Sequence, residues 1–139
     1  MPYGSAMVSA PIVLNKKRIL FVDDDALILA GLSTLLRCDR SRWEMVFVLG
    51  GEAGLAALRR SAFDVLVSDL SMPGFDGIAL LAAAKHHSPH TVRIMLTGST
   101  VDKATIDAYA ILAKPCSGGQ LRGVLEAALK PAATTADRP

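Results

Sequence analysis

Short apolar runs alternate along this chain with segments whose apolar residues return every three or four positions. Arg18–Val22 (RILFV) is a compact run rich in strand-forming residues. Asp25 then stands where it can cap a helix, and the spacing predicts that helix from Ala26 to about Arg37. Ile28, Leu32, Leu35 and Leu36 fall on one of its faces. Trp43–Leu49 reads as a second strand and Gly51–Arg60 as a second helix. Phe63–Ser68 (FDVLVS) is a third strand. Pro73-Gly74 marks a turn, and Asp76 caps a helix running to about His87. Val92–Thr97 (VRIMLT) is a fourth strand, followed by a short helix about Val101–Ala108 and a minimal strand, Ala110–Ala113. Ser117 and Gln120 form a capping box for a last helix whose Leu121, Val124, Leu125 and Ala128 make one stripe, and Pro131 stops it.

Five strands thus alternate with five helices. Several strands are apolar on successive residues, as a strand covered on both faces must be. The expected class is therefore α/β, with a parallel sheet between two helical layers. Residues 1–16 mix Pro, Gly, Ser and small apolar residues without a period and read as a flexible leader. Residues 131–139 read as a tail or linker remnant, which leaves one folded domain over 17–130.

Composition narrows the function. With 51% hydrophobic and 20% charged residues, the 139-residue chain can bury a core. Fifteen basic and 13 acidic side chains give a net charge of +2, which offers no bulk attraction for nucleic acid. No uncharged run is long enough to cross a bilayer, and no signal peptide is recognisable. Cys38 and Cys116 match neither a disulfide framework nor a zinc pattern, so a reducing cytoplasm is the expected location.

In parallel sheets the reactive crevice lies at the carboxyl ends of the strands. Here those ends carry Asp23-Asp24-Asp25, Asp69, Thr97-Gly98-Ser99 and Lys114-Pro115. Taken singly, each has a bland reading: a helix cap, an Asx turn, a strand hydroxyl, a loop lysine. Four such residues, each directly after an apolar run, call for a common account. Clustered carboxylates resist ionising together, and a hard cation removes that conflict. Mg²⁺ takes oxygen ligands and needs only one or two carboxylates plus a phosphoryl oxygen. A carboxylate beside it can attack phosphorus, with an ammonium and a hydroxyl meeting the charge of the transferred group.

At these residues the chain resembles the receiver domain of two-component response regulators. The resemblance rests on RILFVDDD, FDVLVSDLSMPGFDG, VRIMLTGS and AILAKP in that order, and covers about Lys17–Lys130. It implies a flavodoxin-like (βα)5 fold of three layers with sheet order 2-1-3-4-5. It implies Asp69 as phosphoacceptor, Asp24 as direct Mg²⁺ ligand, Asp23 as its partner acting through water, and Ser71 as a backbone-carbonyl ligand. Thr97 matches the switch hydroxyl, Lys114 the lysine that pairs with the phosphoryl group, and Lys114-Pro115 a cis peptide. The implied partners are a sensor histidine kinase or histidine phosphotransfer protein and an output domain or effector, with a homodimer open. Such a module catalyses its own phosphorylation and dephosphorylation but turns over no external product.

Two departures from the family pattern stand out. The aromatic switch residue three positions before the lysine is replaced by Ile111, with Tyr109 two residues earlier. The stretch from Thr97 to Lys114 is roughly five residues short, more than one turn at ~3.6 residues per turn, so the fourth helix should be stubby. The expectation is that the standard threonine–aromatic coupling is not used. An aspartyl-phosphate phosphohydrolase and a phosphorylation-independent binding module remain as alternatives; the former wants an acid where Ser71 stands. Leu49-Gly50-Gly51-Glu52-Ala53-Gly54 lacks the first glycine of a dinucleotide fingerprint and reads as a small-residue turn. His86, His87 and His90 are split by Pro89 and read as a solvated loop.

Overall fold

A computed structural model describes residues 16–98 and 105–130 of the chain. The strands are β1 (Lys17–Asp23), β2 (Trp43–Leu49), β3 (Val65–Ser68), β4 (Val92–Thr97) and β5 (Ala110–Ala113). The helices are α1 (Ala26–Leu35), α2 (Gly51–Arg60), α3 (Gly77–His87) and α4 (Gly118–Ala128), with a 3₁₀ turn over Arg37–Ser41 after α1. All strand pairs are parallel, in the order β2-β1-β3-β4-β5. This is the flavodoxin-like order expected from the resemblance.

The successive apolar residues of the strands feed two separate cores. Ile19 and Phe21 of β1, Val65 and Val67 of β3, and Ile94 and Leu96 of β4 face Leu29 and Leu32 of α1 and Leu121 and Leu125 of α4. Leu20 and Val22, Leu66, and Met95 face Ala57 and Leu58 of α2 and Leu80, Leu81 and Ala84 of α3. Burying a Leu, Ile or Val side chain fully is worth roughly 1.5–3 kcal/mol, so each face of the sheet needs its helical layer. Three helices begin at capping side chains foreseen from the sequence. Asp25 accepts from the N–H of Leu27 at 2.9 Å, Asp76 from Ala79 at 2.9 Å, and Ser117 from Gln120 at 3.0 Å.

Three differences from the sequence reading have physical causes or limits. Helix α1 ends at Leu35, and the chain tightens into the 3₁₀ turn, where buried Asp39 is gripped by Arg42 and Arg122. Strand β3 starts at Val65, because the Asp64 carboxylate takes the N–H of Arg18 at 2.8 Å in place of a backbone partner. Of the short helix expected over 101–108, residues 101–104 lie outside the described residues and 106–108 form no helix. The described residues therefore hold four α-helices instead of five. Residues 1–15 of the expected leader over 1–16 and the tail over 131–139 also lie outside the described residues. Among the described residues no helix is long and apolar enough to cross a membrane.

Candidate functional site

Strands β1 and β3 are neighbours, with Val22 opposite Ser68. The next residue of each strand end, Asp23 and Asp69, therefore meets across a spacing of roughly 4.8 Å between chains. The N–H of Asp69 donates to the Val22 carbonyl at 3.0 Å and fixes that register. Asp24 follows on the same corner. Asp23, Asp24 and Asp69 each offer a carboxylate oxygen, and the three oxygens lie within 4.8 Å of one another. Asp23 and Asp69 are buried, and Asp24 is exposed.

Lys114 arrives from the far edge of the sheet. Its N–H donates to the Thr97 carbonyl at 2.8 Å, and a cis peptide joins it to Pro115. Its Nζ donates to Asp23 Oδ2 at 2.8 Å and lies 3.1 Å from Asp69 Oδ1. The second oxygen of Asp23 accepts the N–H of Asp25 at 3.0 Å. Burial opposes the charge on Lys114, but the bonds to Asp23 and Asp69 outweigh it and hold the ammonium above the usual lysine value. For Asp69 the balance falls the other way. Burial above all, with the charges of Asp23 and Asp24, lifts its carboxyl above the usual range despite the pull of Lys114.

One ammonium among three carboxylates leaves a surplus of two negative charges. That is the charge of a divalent cation. The donors are all oxygen, and one face of the cluster is open through Asp24, so the residues present suit a hard ion such as Mg²⁺.

Thr97 closes β4 at 3% exposure, beside the backbone of Lys114. Ser71 is exposed in the loop after Asp69 and shares an open groove with Asp24, Leu70, Met72, Pro73 and Asp76. Tyr109 is 55% exposed, whereas Ile111 packs against the core between the sheet and helices α2 and α3. Ser99 lies outside the described residues. His86, His87 and His90 are exposed and do not join the acidic group.

The sequence reading passed over two neighbours of Asp69. Ser68 is fully buried and donates its Oγ to the Asp69 carbonyl at 2.9 Å. Gly77 lies so close to the same carbonyl that a Cβ there would overlap it. Together they fix the backbone from which the Asp69 side chain projects. A lone hydroxyl in an apolar strand was the available signal for Ser68, because a buried polar group must find a partner.

Known proteins carry the same pattern. The family model of the response regulator receiver domain matches residues 19–126. The response regulator protein FleR of Pseudomonas aeruginosa is 36% identical over 88 residues, covering 63% of this chain and 18% of that protein. The transcriptional regulatory protein FixJ of Bradyrhizobium diazoefficiens is 34% identical over 124 residues, covering 85% of this chain and 59% of that protein. This chain thus spans only part of the length of these relatives. Among solved structures, the signal receiver domain of an HD domain-containing protein from Pseudomonas fluorescens Pf-5 aligns with a TM-score of 0.76 at 30% identity. It covers 83% of this chain and 95% of that one. Fold, strand-end chemistry and relatives agree, and the chain belongs to the response regulator receiver domain family.

Proposed function

We propose that Asp69 is the phosphoacceptor of this receiver and that Asp23, Asp24, Asp69 and the backbone carbonyl of Ser71 hold Mg²⁺ beside it. The observation that carries this reading is the gathering of three carboxylate oxygens within 4.8 Å, with a single ammonium bridging two of the groups. The family typically uses Mg²⁺, and the ion, when bound, supplies positive charge to the oxygens of the phosphoryl group in flight.

A carboxylate oxygen of Asp69 attacks the phosphorus of a phosphohistidine. The new O–P bond forms as the P–N bond breaks, and the imidazole leaves with the bonding pair and takes up a proton. The phosphoryl group brings about −1.5 to −2 charges at pH 7. Lys114 then exchanges its bond to Asp69 Oδ1 for a phosphoryl oxygen, and the Thr97 hydroxyl donates to another. Water later attacks the same phosphorus; a new O–P bond forms as the bond to Asp69 breaks, inorganic phosphate leaves and the carboxylate is regenerated, so the domain catalyses both its loading and its unloading.

The donor is a sensor histidine kinase or a histidine phosphotransfer protein, and the signal passes to an output domain, an effector protein or a second copy of the chain. Ile111 stands where the family places its aromatic switch residue and packs against the core, and Tyr109 is largely in solvent, so the signal leaves by a route other than the threonine–aromatic coupling. The hydrolase reading is disfavoured by Ser71, which stands where that chemistry wants a second acid.

The test is intact mass after treatment with acetyl phosphate and Mg²⁺. The wild type gains one phosphoryl group, Asp69→Asn gains none, and EDTA blocks the gain. Lys114→Ala still binds Mg²⁺ but loses the change that follows phosphorylation, read by proton–nitrogen NMR. An unlabelled wild type, or equal labelling of Asp69→Asn, defeats the assignment.

A further inference from the structure

The loop from Leu70 to Asp76 lines the groove beside Asp24 and carries Ser71. It is closed at its ends by the N–H of Gly77, which donates to the Leu70 carbonyl at 2.9 Å. Inside it, the Phe75 N–H donates to the Pro73 carbonyl at 2.9 Å, turning about Gly74 at a φ of 81°. Only glycine adopts that φ at no steric cost. On its far side the loop rests on another element, the first residue of α2.

That residue is Gly51, which is buried. A Cβ there would overlap the Phe75 carbonyl oxygen and come within 2.9 Å of Cδ2 of the Phe75 ring. A backbone carbonyl cannot swing aside as the end of a side chain can. A side chain at position 51 therefore displaces either the helix or the loop. The helix is the firmer of the two, since Gly54, Ala57 and Leu58 are buried against the sheet and α3. The loop is irregular, with Ser71, Pro73 and Gly74 exposed. The loop yields.

We propose that Gly51 is a positioning residue for divalent-cation binding: its bare α-carbon seats the Phe75 backbone, and through it the Ser71 loop, against the acidic cluster. This rests on the reading that Asp23, Asp24, Asp69 and Ser71 hold Mg²⁺. Mg²⁺ tolerates little departure from octahedral geometry. Disturbing the support behind a metal site typically lowers affinity about 10–100-fold.

The experiment is isothermal titration of the full chain with Mg²⁺ alone, paired with thermal unfolding. Gly51→Ala is expected to bind Mg²⁺ on the order of tenfold more weakly while keeping a folded circular dichroism spectrum. Gly54→Ala is the control on the same helix. The nearest atoms its Cβ would meet belong to side chains and not to backbone, Val22 Cγ2 at 2.8 Å, Val22 Cγ1 at 3.0 Å and Leu80 Cδ2 at 3.2 Å. It is expected to move the melting temperature and leave Mg²⁺ affinity unchanged. Phe75→Ala adds no bulk to α2 and releases the loop from the opposite side, so it too should weaken Mg²⁺ binding, and it serves even where Gly51→Ala does not fold. Gly51→Ala or Phe75→Ala binding Mg²⁺ as tightly as the wild type overturns the inference. So does a loss of affinity that tracks melting temperature equally in Gly51→Ala and Gly54→Ala. A wild type that takes up no Mg²⁺ instead overturns the metal reading beneath it.

Discussion

Two aspartates of this domain are buried to nearly the same degree, Asp39 at 5% exposure and Asp69 at 7%, yet their carboxyl groups shift in opposite directions. Asp39 accepts from Arg42 Nε and Nη2 at 3.1 and 2.8 Å and from Arg122 Nε at 2.9 Å. Burial works against its ionisation, but the two guanidiniums prevail and hold it below the usual carboxylate range. Asp69 must share one lysine with Asp23 and face Asp24 as well. The first cluster is saturated, and it clasps the 3₁₀ turn to α4. The second carries negative charge that its own protein partners do not cancel. Burial raises both carboxyls; at Asp39 two guanidiniums overcome it, and at Asp69 one shared lysine does not.

The largest expected effect comes from supplying the missing charge. Mg²⁺ at a hundredfold excess over its dissociation constant stabilises a single-site protein by about 2.7 kcal/mol. Urea unfolding with and without Mg²⁺ should show a gain of that order in the wild type and none in Asp24→Ala. An equal gain in both would remove the distinction between the two clusters, because it would place the ion elsewhere.

Next in size is the loss of the clasp. Asp39→Ala removes three charge-assisted hydrogen bonds, while Arg42 and Arg122 are exposed enough to recover water. Urea unfolding should show a loss of about 2 kcal/mol, within the range for hydrogen bonds to charged groups. The metal-free Asp69→Asn variant should move the other way, gaining about 1 kcal/mol as one close like-charge contact is relieved. The pH profiles carry the same signs. Asp39 has a lowered folded pKa, so its contribution is present above the unfolded value and lost as pH falls through the folded one. Asp69 has a raised folded pKa, so its penalty is absent below the unfolded value and sets in as pH rises through the folded one. The deficit of Asp39→Ala and the surplus of Asp69→Asn should therefore both shrink toward acid.

The two clusters also differ in how far the sequence disclosed them. Asp23, Asp24, Asp69 and Lys114 were legible because each directly follows an apolar run, and a parallel sheet sends all such ends to one edge. The alternation of runs pointed to a parallel sheet, and the strand order came from the resemblance alone. Asp39 offered nothing comparable. It stands among charges in Arg37–Arg42, and one of its partners, Arg122, is 83 residues away. Only the packing of α1 beside α4 brings them together. Gly51 was hidden for the same reason, since what it touches is the backbone of distant Phe75, whereas Ser68 had shown itself only as a lone hydroxyl in an apolar strand. The stretch after Thr97 was half legible: the count of residues exposed its shortness, but nothing local showed that 106–108 would run without a helical turn.

The smallest effect probes the outer edge of the saturated cluster. Glu126 accepts from Arg42 Nη2 at 2.8 Å, so on distance alone it matches Asp39. Its side chain is 48% exposed, however, and that of Arg42 is 43% exposed, so water competes for both. Exposed pairs of this kind contribute roughly 0.2–1 kcal/mol and fade with salt. Glu126→Gln should therefore cost at most a few tenths of a kcal/mol in urea unfolding at low salt. The cost should vanish at about 1 M salt, where the Debye length is about 3 Å. Asp39→Ala should keep most of its deficit at that salt, because its hydrogen bonds are shielded from solvent. A salt response of equal size in both variants would mean that Asp39 is as accessible as Glu126. The contrast with Asp69 would then reduce to a difference in local water, with no role left for unbalanced charge.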